Sequence, residues 1–453
     1  MDLLLKNGLL TTADGSFSGD LAIEGEIITL IGRGLTPVRG AKVIDLKGAR
    51  LMPGGLDAHT HFDMEAGPLR TSDDFRTGTM AAIAGGVTTI IDFAEPGPGR
   101  PLAEGLAAWH AKSEGKSFCD YSFHMTVTHW DQSLPAQMAE IVAQGLTSFK
   151  VYTAYQGMRI SDQAIYNVMS AAAKLGALVL VHCENGGLIE ALTSEYLAAE
   201  PLNLANHARS RPARAEAEAV SRVIDLAALA GAEIYIVHLS TNDSLDRVRF
   251  HRRRGARVLV ETCPHYLLLD DSRYQGPEAD CFIMSPPLRA KADNEALWSA
   301  LGTGEIQTVS TDHCSFNRGG RKAKSLAFNA IPGGIPSVEH RLPLLYTYGV
   351  KRGRLSPEKF VELVSANPAK IFGLYPQKGA LRPGSQADLT VLRETPPTAI
   401  SAAGQFQSVD YTPYEGFPLE ARVERVFLRG QCVFNDGVFQ ADPAGRFLPR
   451  SPR

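Results

Sequence analysis

The sequence predicts an α/β protein in which a (β/α)8 TIM barrel carries a small β-sandwich domain built from both chain termini. In the middle of the chain, short apolar runs rich in β-branched residues alternate with helical stretches, which is typical of parallel strands joined by helices. At both ends the apolar runs are instead interrupted by turn residues, which indicates antiparallel strands. A chain of 453 residues is long enough for both domains.

The two terminal segments are the first element of this prediction. Residues 1–51 contain short apolar runs, such as residues 43–44, separated by Asp-Gly and similar turn pairs. Residues 374–453 show the same pattern, for example at residues 423–428. Neither segment has enough strands to bury its own apolar face. We therefore expect them to form one composite sheet domain, with the barrel spanning residues 52–373.

The barrel strands are the second element. The candidates are a run that ends at His59 and His61, followed by residues 87–92, 121–125, 148–152, 178–182, 234–238, 258–261 and 306–312. Helical stretches such as residues 162–175 and 213–229 lie between them. In a (β/α)8 barrel, the residues that carry chemistry lie at the carboxyl ends of the strands.

Composition excludes several classes of protein. The formal net charge of −3 and the lack of a basic stripe argue against a nucleic-acid partner, and we interpret the basic residues 251–254 as the polar end of a surface helix. The six cysteines are widely spaced, which indicates reduced thiols and a cytoplasmic protein. No apolar stretch is long enough to span a membrane, and the N-terminus does not resemble a signal peptide.

His59-Thr60-His61 is the most informative short motif. Side chains alternate along an extended strand, so the two imidazoles project from one face and Thr60 from the other. Two imidazoles in this arrangement can bind one metal ion. A single histidine after an apolar run is more often a structural residue, so the interpretation depends on the other strand ends.

Those strand ends supply further residues of the ligand type. Lys150 lies on the fourth predicted strand, and His182, His238 and Asp312 close the fifth, sixth and eighth. Imidazole and carboxylate groups that meet at one rim are the ligands expected for zinc or a similar divalent ion. Cys183 and Cys314 each follow or lie near a proposed ligand; strand alternation predicts that they point away from the site and pack.

Longer motifs surround these positions. They cover residues 53–61, 149–155, 181–185, 237–240, 261–267, 285–289, 311–314 and 379–389. In these motifs the chain resembles the amidohydrolase superfamily and, within it, the dihydropyrimidinase/hydantoinase branch of cyclic amidases. The resemblance extends over nearly the whole chain.

The resemblance implies a binuclear metal centre, with two divalent ions that we expect to be Zn²⁺. Lys150 is then carbamylated by carbon dioxide (N6-carboxylysine) and bridges the ions, because an ammonium would be repelled where a carbamate supplies two oxygens. His59 and His61 hold one ion with Asp312, and His182 and His238 hold the other. A hydroxide between the ions is the implied nucleophile.

The resemblance also implies roles in catalysis and substrate binding. Asp312 would accept a proton from the nucleophile and pass it to the leaving nitrogen; considered alone, it could equally cap a helix. Tyr155 would donate a hydrogen bond to the oxyanion, although by position alone it could also be a packing residue at the rim. Backbone groups of Ser285 and Gly333 would bind the amide edge of the substrate. Gly333 stands where the family usually has asparagine, and Gln156 where many relatives have lysine.

The loops after the early strands are expected to meet the substituent of the substrate ring. The apolar candidates are Phe62, Met64, Phe93, Tyr152 and Met158, and Arg159 adds a charge.

The function that follows is a metal-dependent hydrolase that opens hydantoins or 5,6-dihydropyrimidines to N-carbamoyl amino acids. An allantoinase or a dihydroorotase-type cyclic amidase is the alternative. A non-catalytic homologue used in protein assembly is disfavoured because all six ligand positions are present. By resemblance we expect a homotetramer with a small-molecule substrate and neither a nucleic-acid nor a membrane partner.

Overall fold

A computed structural model describes residues 1–97, 99–319, 322 and 326–452. Its strands, in chain order, are β1 (Leu3–Thr11), β2 (Ser16–Glu24), β3 (Ile27–Gly32), β4 (Lys42–Asp45), β5 (Arg50–Pro53), β6 (Gly55–Thr60), β7 (Glu65–Ala66), β8 (Leu69–Arg70), β9 (Val87–Ala94), β10 (Asp120–Thr126), β11 (Ser148–Tyr152), β12 (Leu178–His182), β13 (Ile234–Ile236), β14 (Val258–Thr262), β15 (Thr308–Val309), β16 (Leu389–Ala399), β17 (Pro418–Leu428), β18 (Gln431–Asn435) and β19 (Val438–Phe439).

The α-helices follow the barrel strands or lie between them. In chain order they are α1 (Phe75–Ala84), α2 (Leu102–Ser113), α3 (Leu134–Ala143), α4 (Asp162–Lys174), α5 (Gly186–Ala199), α6 (Asn206–Arg209), α7 (Ala213–Ala230), α8 (Asn242–Arg252), α9 (Pro264–Leu268), α10 (Lys291–Thr303), α11 (Arg341–Leu345), α12 (Pro357–Val361) and α13 (Asn367–Ile371).

Eight parallel strands form the barrel, in the order β15-β14-β13-β12-β11-β10-β9-β6. A parallel bridge between Thr60 and His313 joins the segment after β15 to β6 and brings the ends of this sheet together. Every residue of β9, β10, β11 and β12 is buried, as expected for parallel strands covered by helices. The predicted (β/α)8 barrel is confirmed.

The second sheet combines both ends of the chain, in the order β19-β18-β17-β16-β5-β1-β2-β3. β5 connects the two halves, because it pairs in parallel with β1 and antiparallel with β16. Residues from both ends, such as Leu10, Val391 and Phe427, share one apolar cluster. The chain then passes from β5 through Gly54 directly into β6. The composite sheet domain is therefore present, while its boundaries at residues 51 and 374 stay a prediction.

Two barrel strands are shorter than predicted. The predicted strand at residues 234–238 ends with β13 at Ile236, and the one at residues 306–312 contains only β15. The backbone is left-handed at His238 (φ 40°) and Asp312 (φ 50°), two and three residues beyond the ends of β13 and β15, so neither strand continues to its predicted last residue. For residues with a Cβ this conformation is strained, and strain of this kind is common at functional sites.

Three further predictions concern the basic residues 251–254, the cysteines and membrane-spanning helices. The basic residues 251–254 lie at and just beyond the carboxyl end of α8, as predicted for the end of a helix. All six cysteines are free thiols. Among the described residues, no helix combines the length and the apolar character needed to cross a membrane.

Candidate metal centre

His59, His61 and Asp312 meet at the carboxyl end of the barrel. Asp312 Oδ1 lies 3.1 Å from His59 Nε2 and 3.2 Å from His61 Nε2. Within 4.8 Å of one another, these three side chains each offer an atom that can bind a metal ion. Thr60 points the other way and donates a hydrogen bond to Asp92 at 2.8 Å. The alternation predicted for the His59-Thr60-His61 motif is therefore what places both imidazoles beside Asp312.

The orientation of His59 is set by Glu261, the penultimate residue of β14, the seventh barrel strand. His59 Nδ1 lies 2.7 Å from Glu261 Oε1. A carboxylate can only accept, so Nδ1 carries a proton and donates it in a hydrogen bond to Glu261, and Nε2 faces Asp312. Burial alone would lower the pKa of His59, but Asp312 and Glu261 raise it to about 9. Carboxylates therefore face both nitrogens of the ring, and Glu261 holds Nδ1 so that Nε2 is directed towards Asp312.

His182 and His238 form a second pair beside the first. His182 Nδ1 lies 2.9 Å from His238 Nε2, and His182 Nε2 lies 2.9 Å from Glu184 Oε2. Glu184 also accepts a hydrogen bond from Arg211 at 2.5 Å. Because Glu184 accepts a hydrogen bond from His182 Nε2–H, the lone pair of His182 Nδ1 is directed at His238. The rings of His59 and His238 are 5.5 Å apart, so the two pairs are neighbours.

Lys150 lies on β11, and its side chain faces two aromatic rings of the site. Its amino group is 4.8 Å from the centre of the Phe93 ring and 4.9 Å from that of the Tyr152 ring. In the part of the chain that the structure describes, Lys150 Nζ makes neither a hydrogen bond nor an ion pair. Burial lowers the pKa of Lys150 to about 8. An amine in this position lacks a partner for its charge, which is costly for a buried group.

A cavity of about 840 Å³ opens above these residues. The three predicted substrate-binding residues, Tyr155, Ser285 and Gly333, all line it together with the histidines, Lys150 and Asp312. Tyr155 has a left-handed backbone (φ 70°), and its ring centre lies 4.8 Å from that of His182. Burial raises the pKa of Tyr155, so its hydroxyl keeps its proton and remains a hydrogen-bond donor.

Three of the five apolar candidates for the substituent pocket line the cavity. Met64, Tyr152 and Met158 line the cavity, whereas Phe62 and Phe93 do not. Phe93 instead packs against both His59 and His61, with ring centres 4.7 and 4.9 Å away. Phe62 is fully buried behind the site.

Arg159, Cys183 and Cys314 were also assigned positions from the sequence. The Arg159 guanidinium pairs with Glu190 at 3.1 Å. Cys183 packs, as predicted, with its thiol 3.5 Å from the carbonyl of Val181. The prediction for Cys314 was wrong, since it lines the cavity. Strand alternation no longer applies there, because the left-handed backbone at Asp312 precedes it.

Sequence reasoning missed several acidic residues of the site. Glu261 is the penultimate residue of β14 and Glu184 follows His182 by two residues, so the strand-end rule that found the histidines could have found both. Glu95 follows β9 by one residue and lines the cavity. Burial and then the nearby Asp92 raise the pKa of Glu95 to about 7.

Comparison with known proteins identifies the family. The model of the amidohydrolase family matches residues 50–433, which include the whole barrel and part of the terminal sheet. The chain belongs to this family. Together with the His59, His61 and Asp312 cluster, membership points to a divalent metal site.

Relatives that match the chain over its full length show to which branch of the family it belongs. A D-phenylhydantoinase from Escherichia coli O81 (strain ED1a) is 41% identical over 456 residues, which cover 100% of this chain and 99% of that protein. The crystal structure of dihydropyrimidinase from Brevibacillus agri NCHU1002 has a TM-score of 0.98 at 40% identity, and covers 100% of this chain and 99% of its own. For a D-hydantoinase from a Bacillus sp. AR9 the TM-score is 0.97 at 39% identity, with the same coverage. The predicted membership in the dihydropyrimidinase/hydantoinase branch is confirmed.

Proposed function

We propose that this protein is a metal-dependent cyclic amidase that opens hydantoins or 5,6-dihydropyrimidines to N-carbamoyl amino acids. The observation that carries the proposal is the convergence of His59, His61 and Asp312 on the floor of a cavity of about 840 Å³. The relatives support it, since a full-length match at 41% identity is a D-phenylhydantoinase.

The metal centre that we propose holds two divalent ions, which we expect to be zinc. His59, His61 and Asp312 would bind one ion, and His182 and His238 the other. When bound, the ions would supply Lewis acidity that lowers the pKa of a water molecule to about 7. The donor set fits, because Glu261 and Glu184 accept hydrogen bonds from His59 Nδ1 and His182 Nε2. The opposite nitrogens, His59 Nε2 and His182 Nδ1, would then offer their lone pairs to metal.

Lys150 would link the two halves of the centre as a carbamate. Its neutral amine would attack the carbon of carbon dioxide, forming an N–C bond and releasing one proton. The product is an anion with two oxygens, on a side chain whose amine faces the rings of Phe93 and Tyr152 and makes no hydrogen bond or ion pair with the described residues. Burial that lowers the pKa of Lys150 to about 8 leaves part of the amine neutral near physiological pH.

The side chains around the cavity would then carry the reaction. Backbone groups of Ser285 and Gly333 would bind the amide edge of the ring, and Gly333 can offer only its backbone. The hydroxyl of Tyr155 would donate to the carbonyl oxygen as negative charge develops there. Asp312 would accept a proton from the attacking water and deliver it to the ring nitrogen. A C–O bond forms, the ring C–N bond breaks, and the product carries a carboxylate and a ureido group.

Two alternatives are less well supported. An allantoinase or a dihydroorotase would use similar residues, but the full-length relatives are hydantoinases and dihydropyrimidinases. A non-catalytic homologue would not need six ligand-type side chains around one cavity, yet all six are there. A homotetrameric assembly and a cytoplasmic location belong to the proposal as well. Light scattering on the purified protein would test the assembly.

A substrate panel tests the function. Protein purified with zinc should hydrolyse hydantoin, phenylhydantoin or dihydrouracil much faster than allantoin or dihydroorotate. Asp312→Asn, which keeps the size of the side chain but removes its basicity, should lose the activity. Faster turnover of allantoin or dihydroorotate would favour the alternative, and a metal-loaded protein that hydrolyses none of the five compounds would contradict the proposal.

A further inference from the structure

Glu95 is an acidic side chain that lines the cavity. It is not among the proposed metal ligands, and it makes no described contact that stabilises the fold. It follows β9, the second strand of the barrel, and its partly exposed side chain lines the cavity. Its charge acts on Lys150, Tyr152 and Cys314, which line the same cavity. Across residues 1–97, 99–319, 322 and 326–452, no side chain or backbone group makes a hydrogen bond or ion pair with its carboxylate.

The other charged groups near the mouth of the cavity are already paired. Glu65 pairs with Arg70 at 3.0 Å, and Glu190 pairs with Arg159 at 3.1 Å. Neither of these carboxylates therefore competes with Glu95 for a positively charged ligand.

The described cations whose charge acts on Glu95 are Lys112 and Lys150. Arg211, which lines the same cavity, is held by Glu184 at 2.5 Å. Lys112 donates to the carbonyl of Asp63 at 2.7 Å, and its amino group lies 4.0 Å from the centre of the Trp109 ring. Lys150 is the remaining cation, and its carbamylation, which the proposed function requires, would turn it into an anion. In the loaded enzyme no described side chain would then supply Glu95 with a counter-charge, while the two ions would be held by the histidines, Asp312 and the modified Lys150.

Glu95 and the groups that would hold the substrate ring lie at different parts of the rim. Ser285 and Gly333 follow the seventh and eighth barrel strands, and Asp312 follows the eighth, whereas Glu95 follows the second. A ring whose amide edge pairs with Ser285 and Gly333 would direct the carbon that carries its substituent away from these two residues. Glu95 lines the same cavity at another part of the rim, where such a substituent could meet it.

We propose that Glu95 selects substrates by their substituent, and that the preferred class is cyclic ureides whose side chain ends in an amino or guanidino group. This inference depends on the proposed function. A carboxylate that has lost much of its hydration and lacks a partner gains most from a ligand that supplies a positive charge and hydrogen-bond donors. An apolar substituent of equal length would leave Glu95 without a partner and bind less well. The product would be the N-carbamoyl derivative of a basic amino acid.

The test compares two hydantoins of equal size, one with an aminobutyl group and the other with a pentyl group. We expect the zinc-loaded wild-type enzyme to have the higher kcat/KM for the amine. Glu95→Gln should lower kcat/KM for the amine by about 10- to 100-fold while kcat/KM for the pentyl compound stays within about 3-fold. Glu95→Leu should reverse the preference. The pentyl compound also reports whether each variant is folded and loaded.

Glu305→Gln is the control. It also replaces a carboxylate by an amide, but at a residue that is paired with Arg249 and does not line the cavity, so the ratio of the two kcat/KM values should not change. A wild-type preference for the pentyl compound would overturn the inference, as would an unchanged ratio in both Glu95 variants. In either case the cyclic amidase itself would stand. Failure of the wild-type enzyme on every cyclic amide would instead reject the proposed function, and this inference with it.

Discussion

His59 and Glu261 lie on the first and seventh strands of the barrel, and His59 Nδ1 is 2.7 Å from Glu261 Oε1. Glu261 is fully buried and also accepts hydrogen bonds from the backbone N–H of His238 at 3.2 Å and from the hydroxyl of Tyr235 at 2.7 Å. One carboxylate therefore orients a proposed ligand of each metal ion. This makes Glu261 a positioning residue for both halves of the centre.

Glu261→Gln should weaken metal binding by about 10- to 100-fold, the usual cost of losing a group that orients a ligand histidine. An amide can donate as well as accept, so His59 would no longer be held in one tautomer. Metal content after dialysis against a graded series of chelator concentrations measures the effect. Glu305→Gln, which changes a carboxylate paired with Arg249 on the outside of the barrel, is the control. Equal zinc retention in wild type and Glu261→Gln would exclude the positioning role.

Lys150→Met should lower kcat/KM for hydantoin by at least about 100-fold, because the thioether cannot form the carbamate. Wild-type protein exposed to isotopically labelled bicarbonate should show a carbamate signal by NMR, and Lys150→Met should not. Lys174→Met, at the exposed end of α4, should retain both the signal and the activity. A labelled carbamate that survives in Lys150→Met would place the modification on another residue.

Tyr155→Phe should lower kcat by about 100-fold or more with a smaller change in KM, because the hydroxyl would act mainly on the developing oxyanion. Tyrosine and phenylalanine have the same Cβ and ring, so the strain of the left-handed backbone at residue 155 (φ 70°) is equal for both. The loop should therefore keep its conformation. Steady-state kinetics on hydantoin would measure the split. Tyr196→Phe on helix α5, outside the cavity lining, serves as the control. A change confined to KM would show that Tyr155 binds the ground state instead.

Removal of metal by a chelator should abolish activity and lower the midpoint of thermal unfolding, and added zinc should restore both. Zinc that binds only the folded protein stabilises it by about 4 kcal/mol when its concentration is 1,000 times Kd. Calorimetry with and without zinc gives this shift. His59→Asn, which lacks one ligand, should show a smaller shift. An apo-protein that unfolds at the same temperature as the zinc-loaded protein would argue against a metal site of this affinity.

Gly86→Ala should destabilise the fold by about 1–3 kcal/mol. Gly86 links α1 to β9 with φ 84°, and an added Cβ would lie 2.7 Å from Thr390 Cγ2 on the terminal sheet. Gly15→Ala is the control, since a Cβ added there would have no other atom within 4 Å. Denaturant unfolding compares the two variants. Equal stability would mean that the junction between barrel and terminal sheet adjusts more easily than its packing indicates.

Local patterns were enough to locate most of the barrel. The strands predicted at residues 148–152 and 178–182 match β11 and β12 at both ends, since each is a short buried run with clear boundaries. The predicted helices at residues 162–175 and 213–229 differ from α4 and α7 by one residue each at the carboxyl end. Periodicity along the chain decides such elements, and packing changes them little.

The residues of the site could be predicted only in part from local sequence patterns. All six residues predicted as metal ligands line one cavity, and each could be found because it is a distinctive residue type at or just after a strand. The roles of Phe93 and Cys314 were not, since one packs beneath the histidines and the other follows a left-handed residue. Glu95 also escaped notice because nothing in its local sequence distinguishes it from a surface acid at the end of a strand.

By itself, then, the sequence determined the barrel, the composite terminal sheet and the types of side chain available at the rim, because these follow from spacing within a few residues. Only the tertiary structure decided which side chains meet, such as His59 with Glu261, and which carboxylate is left without a partner in the cavity. Closure of the barrel brings together groups separated by 202 positions in the chain. No pattern of hydrophobicity or residue type along a single strand contains that contact.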